Sequence, residues 1–271
     1  MKARFWPSAA RVFELSLGEM LWSRRTIFMA LVVGAPILLA IVARVVDASG
    51  VAPLRINGER VSGGGMFGMM IWLLFVRFIV PVLGVFYGTA LIADEVEDKT
   101  ITYLFTRPIP RGAVLIGKYL AYLVCTALVV LPAVVIVFFL LVPFTDVGGN
   151  FAALAKDVGI LALGLACYGA LFALAGALLK RPLIVGLVFA FGWEQAALLM
   201  PGYLRTFTLA HYLQALVPHA MPANETTSLL QAVFRTSPST GASLFWLFFA
   251  LLASLYLAAR TVERREYVLE Q

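Results

Sequence analysis

Charge is scarce in this sequence. Asp, Glu, Lys and Arg together make up 13% of its 271 residues, roughly half the share found in an average soluble domain. Cysteine and histidine are scarcer still, with two of each. Cys125 and Cys167 both fall inside apolar runs, so they read as reduced, packed thiols and give no disulfide framework. His211 and His219 have no Cys or carboxylate cluster at metal-ligand spacing beside them, and no metal site is expected. No Ser-His-Asp set, HExxH string or intramembrane carboxylate pair occurs, which makes an intramembrane hydrolase a distant rival. Long polar stretches are missing too: the longest connection between apolar runs, 201–241, is well below the size of a nucleotide-hydrolysing domain. Nor does the start read as a secretory signal, because "WPSAARVFELSLGEMLWSRR" is too polar for an h-region and lacks a small-residue cleavage site.

What is abundant is apolar sequence. Hydrophobic residues make up 62% of the chain, the mean hydropathy is +0.93, and an integral membrane protein follows. A bilayer crossing needs about 20 residues at about 1.5 Å each. Six runs qualify, at 27–46, 68–93, 112–142, 158–179, 183–200 and 242–259. They are continuously apolar, without the period-two alternation of a β-barrel, so the fold class expected is all-α, a single transmembrane domain of six helices over 1–271. The second and third runs exceed what a bilayer needs and are expected to tilt, to kink at Pro81 and Pro132, or to project into the cytosol.

Three strings imitate a nucleotide site. "RGAVLIGKYL" (111–120) carries Gly112, four residues, then Gly117 and Lys118, the phosphate-loop pattern in every position but the last. "VSGGGM" (61–66) resembles a transporter-ATPase signature, and "ALIADE" (90–95) resembles an apolar strand ending in a metal-binding acidic pair. Each fails on context. A working phosphate loop sits between strand and helix and needs Ser or Thr after the Lys to hold magnesium. Here that position is Tyr119, and an apolar run follows directly. The other two strings fall in an outer loop and at the end of the second run, in the wrong order. No hydrolytic activity, catalytic residue or bound cofactor is expected in this chain.

Basic residues set the orientation. With the N-terminus inside, the inner segments carry Lys2, Arg4, Arg11, Arg24 and Arg25, then Lys99, Arg107, Arg111 and Lys118, then Lys180 and Arg181, then Arg260, Arg264 and Arg265. The outer loops keep Arg55, Arg60, Lys156, Arg205 and Arg235. This asymmetry places both termini in the cytosol, and the net charge of +6 reflects topology, with no basic groove of the kind that binds nucleic acid. Residues 8–24 form an amphipathic helix with Phe13, Leu17, Met20 and Leu21 on one side, expected to lie in the inner interface as an elbow before the first span. Lys118 is expected to reach lipid headgroups.

Between the second and third runs, "YGTALIADEVEDKTITYLFTRPIPRGAVLIGKYL" (87–120) combines an acidic cluster, a short amphipathic piece and an Arg-Pro-x-Pro-Arg turn. Asp94, Glu95, Glu97 and Asp98 are expected to open a helix whose N-terminal dipole favours negative charge, with Arg107 near its other end. Ile101, Leu104 and Phe105 share one side, and Pro108 and Pro110 stop it. Such a ridge suits docking into a groove of a partner, although a loop whose charges merely avoid lipid would look similar.

Read whole, this segment resembles the cytoplasmic loop of ABC-2 type permease subunits. Glu95, Thr100, Tyr103 to Phe105, Arg107, Pro108, Ile109, Arg111, Gly117 and Lys118 match the family pattern in order, while Lys99 stands for its Gly and Pro110 for its second Ser. The resemblance implies a permease subunit that moves a substrate, with export the family expectation, from a bacterial cytoplasmic membrane. It implies that 94–111 holds the coupling helix, with Glu95, Glu97, Asp98, Thr100, Leu104, Phe105, Arg107, Pro108 and Arg111 receiving motion from a separate ABC ATPase that holds ATP and magnesium. Lys180 and Arg181 would make a second inner contact, and a second permease, a copy or a paralogue, would complete the assembly alongside membrane lipid. The connection 201–241 would include re-entrant helices. The resemblance is silent about cargo.

Arg44 lies two residues from the end of the first run and is expected to reach outward, whereas two charges lie deeper, in the second and fifth runs. Arg77 and Glu194 stand roughly 14 and 9 Å from the outer ends of their spans at about 1.5 Å per residue, and such groups usually pair or face a cavity. Since the second and fifth spans border the translocation path in ABC-2 relatives, Arg77 and Glu194 are candidate path residues, as a pair or gate, or else a buried structural pair. "NET" (224–226) is a glycosylation acceptor string that matters only on a eukaryotic secretory route. The alternatives to a permease are a secondary transporter driven by an ion gradient and a non-transporting scaffold for an ATPase. The former would show inverted repeats and broken helices, and no repeat between the halves is evident.

Overall fold

The computed structural model describes residues 5–49, 55–56, 59–60, 62–97, 110–199, 203–218 and 238–264. In chain order, α1 is Phe5–Leu21 and α2 is Arg24–Ser49. A two-residue antiparallel ladder follows, β1 (Arg55–Ile56) with β2 (Glu59–Arg60), which the sequence reading did not anticipate. Next come α3 (Gly63–Asp94, its last turn running to Glu97), α4 (Arg111–Leu141), α5 (Val147–Leu178) and α6 (Pro182–Ala197). After a 3₁₀ turn at Tyr203–Phe207, α7 spans Leu209–Leu216 and α8 spans Thr240–Arg264. Among the described residues five helices, α2, α3, α4, α5 and α8, are long and apolar enough to cross a membrane, and α6 is a shorter apolar helix. A helical bundle is what lipid demands of such runs, because only intrahelical bonds satisfy the backbone there.

Burial separates centre from periphery. The most apolar windows of α3 and α5 are each 56% buried, against 33% for α2 and 22% for α8. Glycine makes the central contact possible. A Cβ on Gly84 would stand 2.7 Å from Tyr168 Cβ, and one on Gly176 would stand 2.5 Å from the Thr89 carbonyl oxygen. Small residues let helices approach closely in lipid, where dispersion replaces the hydrophobic drive.

Among the described residues three stretches wind as π-helix: Ile71–Ile79 and Gly84–Gly88 in α3, and Val188–Trp193 in α6. Pro81 sits in the short α-segment between the first two. Lacking an N–H and crowding the preceding turn, proline forces hydrogen bonds around it to find other acceptors, and wider turns are one solution. Pro132, by contrast, lies inside α4, which runs unbroken from Arg111 to Leu141.

The N-terminal helix joins the bundle through a tight elbow. Only Trp22 and Ser23 separate α1 from α2. Ser23 Oγ donates to the Met20 carbonyl at 3.0 Å and Thr26 Oγ1 donates to the same oxygen, satisfying the end of α1. From there α1 lies along α4. The helix begins at Phe5, slightly earlier than expected, since Pro7 is tolerated in a first turn.

The acidic cluster is a correction. Asp94, Glu95 and Glu97 do not open a new helix; they lie in the last turns of the Ala90–Glu97 stretch. Asp94 forms an ion pair with Arg25 Nη1 at 2.5 Å. The side chains of Glu95 and Glu97, and residues Asp98, Lys99, Thr100, Leu104, Phe105, Arg107 and Pro108, lie outside the described residues.

Candidate functional site

Helix ends carrying the expected inner charges gather at one pole. There α1 crosses the start of α4, and the reason is Gly117. A Cβ at that position would stand 2.6 Å from the Ala9 carbonyl oxygen and 2.9 Å from Val12 Cβ. The glycine that completes the phosphate-loop imitation is thus a helix-crossing residue. Its companion Gly112 faces Glu263 Oε1, 3.1 Å from where a Cβ would be, with a Phe5 ring carbon at 3.7 Å. Lys118 is 9% exposed and packed within the protein, so it does not extend outward as expected. The signature-like string is a helix start: Ser62 Oγ accepts from the Gly65 N–H at 3.2 Å, and Gly63 packs against the Leu141 carbonyl.

Arg111 opens α4, where a positive charge meets the unfavourable end of the dipole. Its Nη1 donates to the Glu263 carbonyl at 3.4 Å, in the last turn of α8, where carbonyls lack helical partners and cations are favoured. Pro110, standing where the resemblance has Ser, is extended and offers α4 no side-chain cap. On the same pole a cavity of about 570 Å³ opens between α2, α3 and α6. Arg25, Asp94, Arg181 and Thr89 supply its polar edge, with Phe28 and Phe86 among its apolar walls. Lys180 is exposed beside it.

The second constellation is a buried polar layer. Arg77 lies in the first π stretch, and a π turn brings residues five apart into register, so its guanidinium stands over the Trp72 ring, 4.9 Å from the centroid. Its Nη2 donates to Gln195 Oε1 at 2.6 Å. Its Nε is buried without a hydrogen-bond partner among the described residues. Glu194, the neighbour of Gln195, is 1% exposed and turns elsewhere. Tyr168, fully buried on α5, donates its hydroxyl to Glu194 Oε2, and the Leu209 N–H donates to Oε1 at 3.2 Å. Arg77 and Glu194 interact electrostatically, but the direct hydrogen bond of Arg77 goes to Gln195.

Glu194 therefore caps a helix from outside it. Thr208, the residue before α7, turns its hydroxyl to the Arg205 carbonyl at 2.7 Å and gives no side-chain cap. The carboxylate from α6 fills that role, where the N-terminal dipole and an orphan N–H both favour an anion. This ties α7, which packs on α5, α8 and the first π stretch, to the end of α6. Within α7, burial, with Arg205 adding to it, holds the His211 imidazole below its ordinary value.

Sequence reading missed Gln195, Tyr168 and Trp72, because neutral polar and aromatic residues do not stand out in an apolar run. It also drew the fourth span from 158, one residue past Asp157. The helix starts at Val147 and buries Asp157 completely.

No curated protein matches this sequence. A family profile described as ABC-2 family transporter protein matches residues 24–267, taking in every described helix except α1. The chain belongs to the ABC-2 family of transporter proteins.

Proposed function

We propose that this chain is the permease of an ATP-driven exporter, receiving motion from a separate ATPase through residues 94–111. The observation that carries the reading is the family match over residues 24–267. Membership makes the chain the membrane subunit of an ABC transporter, associated with an ABC ATPase subunit, and such subunits are generally not catalytic themselves. ATP and magnesium then belong to the ATPase, and the cargo pathway to the permease.

The finer reading adds a sixth crossing, both termini in the cytosol, and a second permease, a copy or a paralogue, in the bacterial cytoplasmic membrane. Pro182–Leu199 would be the fifth span, about 27 Å long at about 1.5 Å per residue, close to the hydrocarbon thickness. Arg77 and Glu194 border the path, Lys180 and Arg181 make the smaller inner contact, and the ridge of Leu104 and Phe105 docks in the ATPase. Support for the docking segment is its place: α3 ends at Glu97 and α4 begins at Arg111, on the pole where basic residues gather.

The test is co-purification with the cognate ATPase together with transport in proteoliposomes. Leu104→Asp/Phe105→Asp should insert and fold normally yet lose the ATPase, because a desolvated apolar anchor contributes about 2 kcal/mol or more, roughly thirtyfold in affinity. Normal complex formation by that variant removes the coupling role from this segment. Gradient-driven transport by the chain alone would instead establish a secondary transporter, and ATPase binding without any transport would establish a scaffold.

A further inference from the structure

The cavity at the basic pole has the makings of a binding site for an anionic amphiphile. We infer that it takes a phosphate-bearing lipid from the cytoplasmic leaflet, with Arg25 and Arg181 on the phosphate and the acyl chain along Phe28 and Ile184. The inference rests on the membrane orientation proposed above and adds a ligand class to it.

Charge, shape and exposure each contribute. Among the described residues the rim joins two guanidinium groups, Arg25 and Arg181, to one carboxylate, Asp94, a positive balance. The cavity of about 570 Å³ lies within the common range for ligand sites, about 300–1,000 Å³. Its walls include Phe28, 40% exposed, and Ile184, 54% exposed. An occupant therefore has an anionic head held between guanidiniums and an apolar part that continues sideways along the bundle surface. Guanidinium presents a planar fork of donors that fits phosphate bidentately.

Asp94 shapes how the site works. It holds Arg25 at 2.5 Å, yet the two side chains remain 48% and 36% exposed. An ion pair this wet is worth little and exchanges readily. A phosphate displaces the carboxylate from Arg25 at small cost, and the resident acid acts as a competitor that weakens binding and aids release. A second copy of the chain is a poor occupant for the same face. The chain carries a net +6, and a twofold contact would set one positive rim against another.

Native mass spectrometry of the purified chain, without ATPase or transport, reads the binding directly. The probes are short-chain phosphatidylglycerol, phosphatidylcholine of the same chain length, and inorganic phosphate. Wild type should retain phosphatidylglycerol over phosphatidylcholine, and Arg25→Gln/Arg181→Gln should lower that retention at least about tenfold, the scale of one lost charge-assisted hydrogen bond. Arg260→Gln, on α8 outside the cavity, should leave it unchanged. Asp94→Asn should strengthen binding, and by more than Glu14→Gln, which removes an equal exposed charge outside the cavity; equal gains would mark general surface attraction and overturn the inference. Should the double variant fail to fold, Arg181→Gln alone, at an exposed position, carries the same expectation of weaker retention. Equal retention by wild type and the arginine variants overturns the inference. So does displacement of the lipid by an equal concentration of inorganic phosphate, which would mark an ion site. Cross-linking of a Phe28→Cys variant to its own copy with exclusion of phosphatidylglycerol would assign the face to a second chain, also overturning it. Failure of any of these leaves ATPase coupling untouched, because no arm depends on it.

Discussion

Replacing Glu194 by Ala tests whether a carboxylate on α6 holds α7 in place. Glu194 is 1% exposed, and its loss removes the acceptor of the buried Tyr168 hydroxyl and of the Leu209 and Ala210 N–H groups at the start of α7. Each unsatisfied donor costs about 1–3 kcal/mol. Removing a buried charge gives part of that back, leaving a net destabilisation of roughly 2–4 kcal/mol. At about 2–4 °C per kcal/mol for a chain of this size, the unfolding midpoint should fall by about 4–16 °C. Glu194→Gln keeps one acceptor oxygen for the Leu209 N–H and turns its NH2 to the Tyr168 hydroxyl oxygen, so its fall should be smaller, on the order of 1 kcal/mol. The protein supplies its own reporter. Cys125 and Cys167 are its two cysteines, both free and buried, so a thiol-reactive dye becomes fluorescent as the bundle opens in detergent. An unchanged midpoint for Glu194→Ala, or a larger fall for Gln than for Ala, would refute the capping role and leave Glu194 as a group poised for cargo.

The Arg77 contact makes a second prediction. In double-mutant cycles on unfolding, Arg77→Met should couple to Gln195→Leu by about 1 kcal/mol or more, and more strongly than to Glu194→Gln, because the hydrogen bond at 2.6 Å goes to Gln195. Additive Arg77 and Gln195 effects would remove that contact. At the basic pole, Gly117→Val should push α1 off α4, because even a Cβ would sit 2.6 Å from the Ala9 backbone oxygen; proteolysis within Phe5–Leu21 should accelerate while the spans stay folded, and unchanged cleavage would show that α1 docks elsewhere. Finally, Lys118→Ala should leave ATP hydrolysis by the purified chain at background, as in the wild type. Hydrolysis that depended on Lys118 would revive the phosphate-loop reading of 111–120.

How much of this was legible beforehand depends on which physical rule acted. The apolar runs could be read because lipid permits few backbone solutions, and α2, α3, α4, α5 and α8 each cover a run identified in the sequence, α4 and α5 stopping one residue short of its end. Their true ends could not, since helices continue past the apolar stretch: α5 starts at Val147, eleven residues before 158, and takes Asp157 into the interior. Arg77 and Glu194 stood out as charges, but the partners chosen for them were charges as well. The molecule uses a neutral amide, a phenol and a backbone N–H, types that no composition rule distinguishes from filler. The Gly-Lys string was visible as a pattern, and the family resemblance gave it a home. Its cause, a helix crossing at Gly117, needed the position of α1, some hundred residues earlier in the chain. The π stretches have no sequence signature beyond the presence of Pro81 near two of them.

The cavity and the polar layer lie on the same two helices. α3 carries Arg77 in its first π stretch and Asp94 near its end, while α6 begins beside Arg181 and reaches Glu194 and Gln195 about 20 Å later at about 1.5 Å per residue. Between those ends, α6 rests on the core at Gly186, where a Cβ would stand 3.1 Å from a Val85 methyl and 3.3 Å from the Phe172 ring. The π stretch Val188–Trp193 lies between that contact and Glu194. It is the section where winding changes most cheaply, because π turns already depart from the α pattern and convert to it by shifting hydrogen bonds by one residue. The cavity at the basic pole and the Glu194 cap on α7 thus stand at opposite ends of one short helix, with Tyr168 and Leu209 holding the carboxylate at the far end.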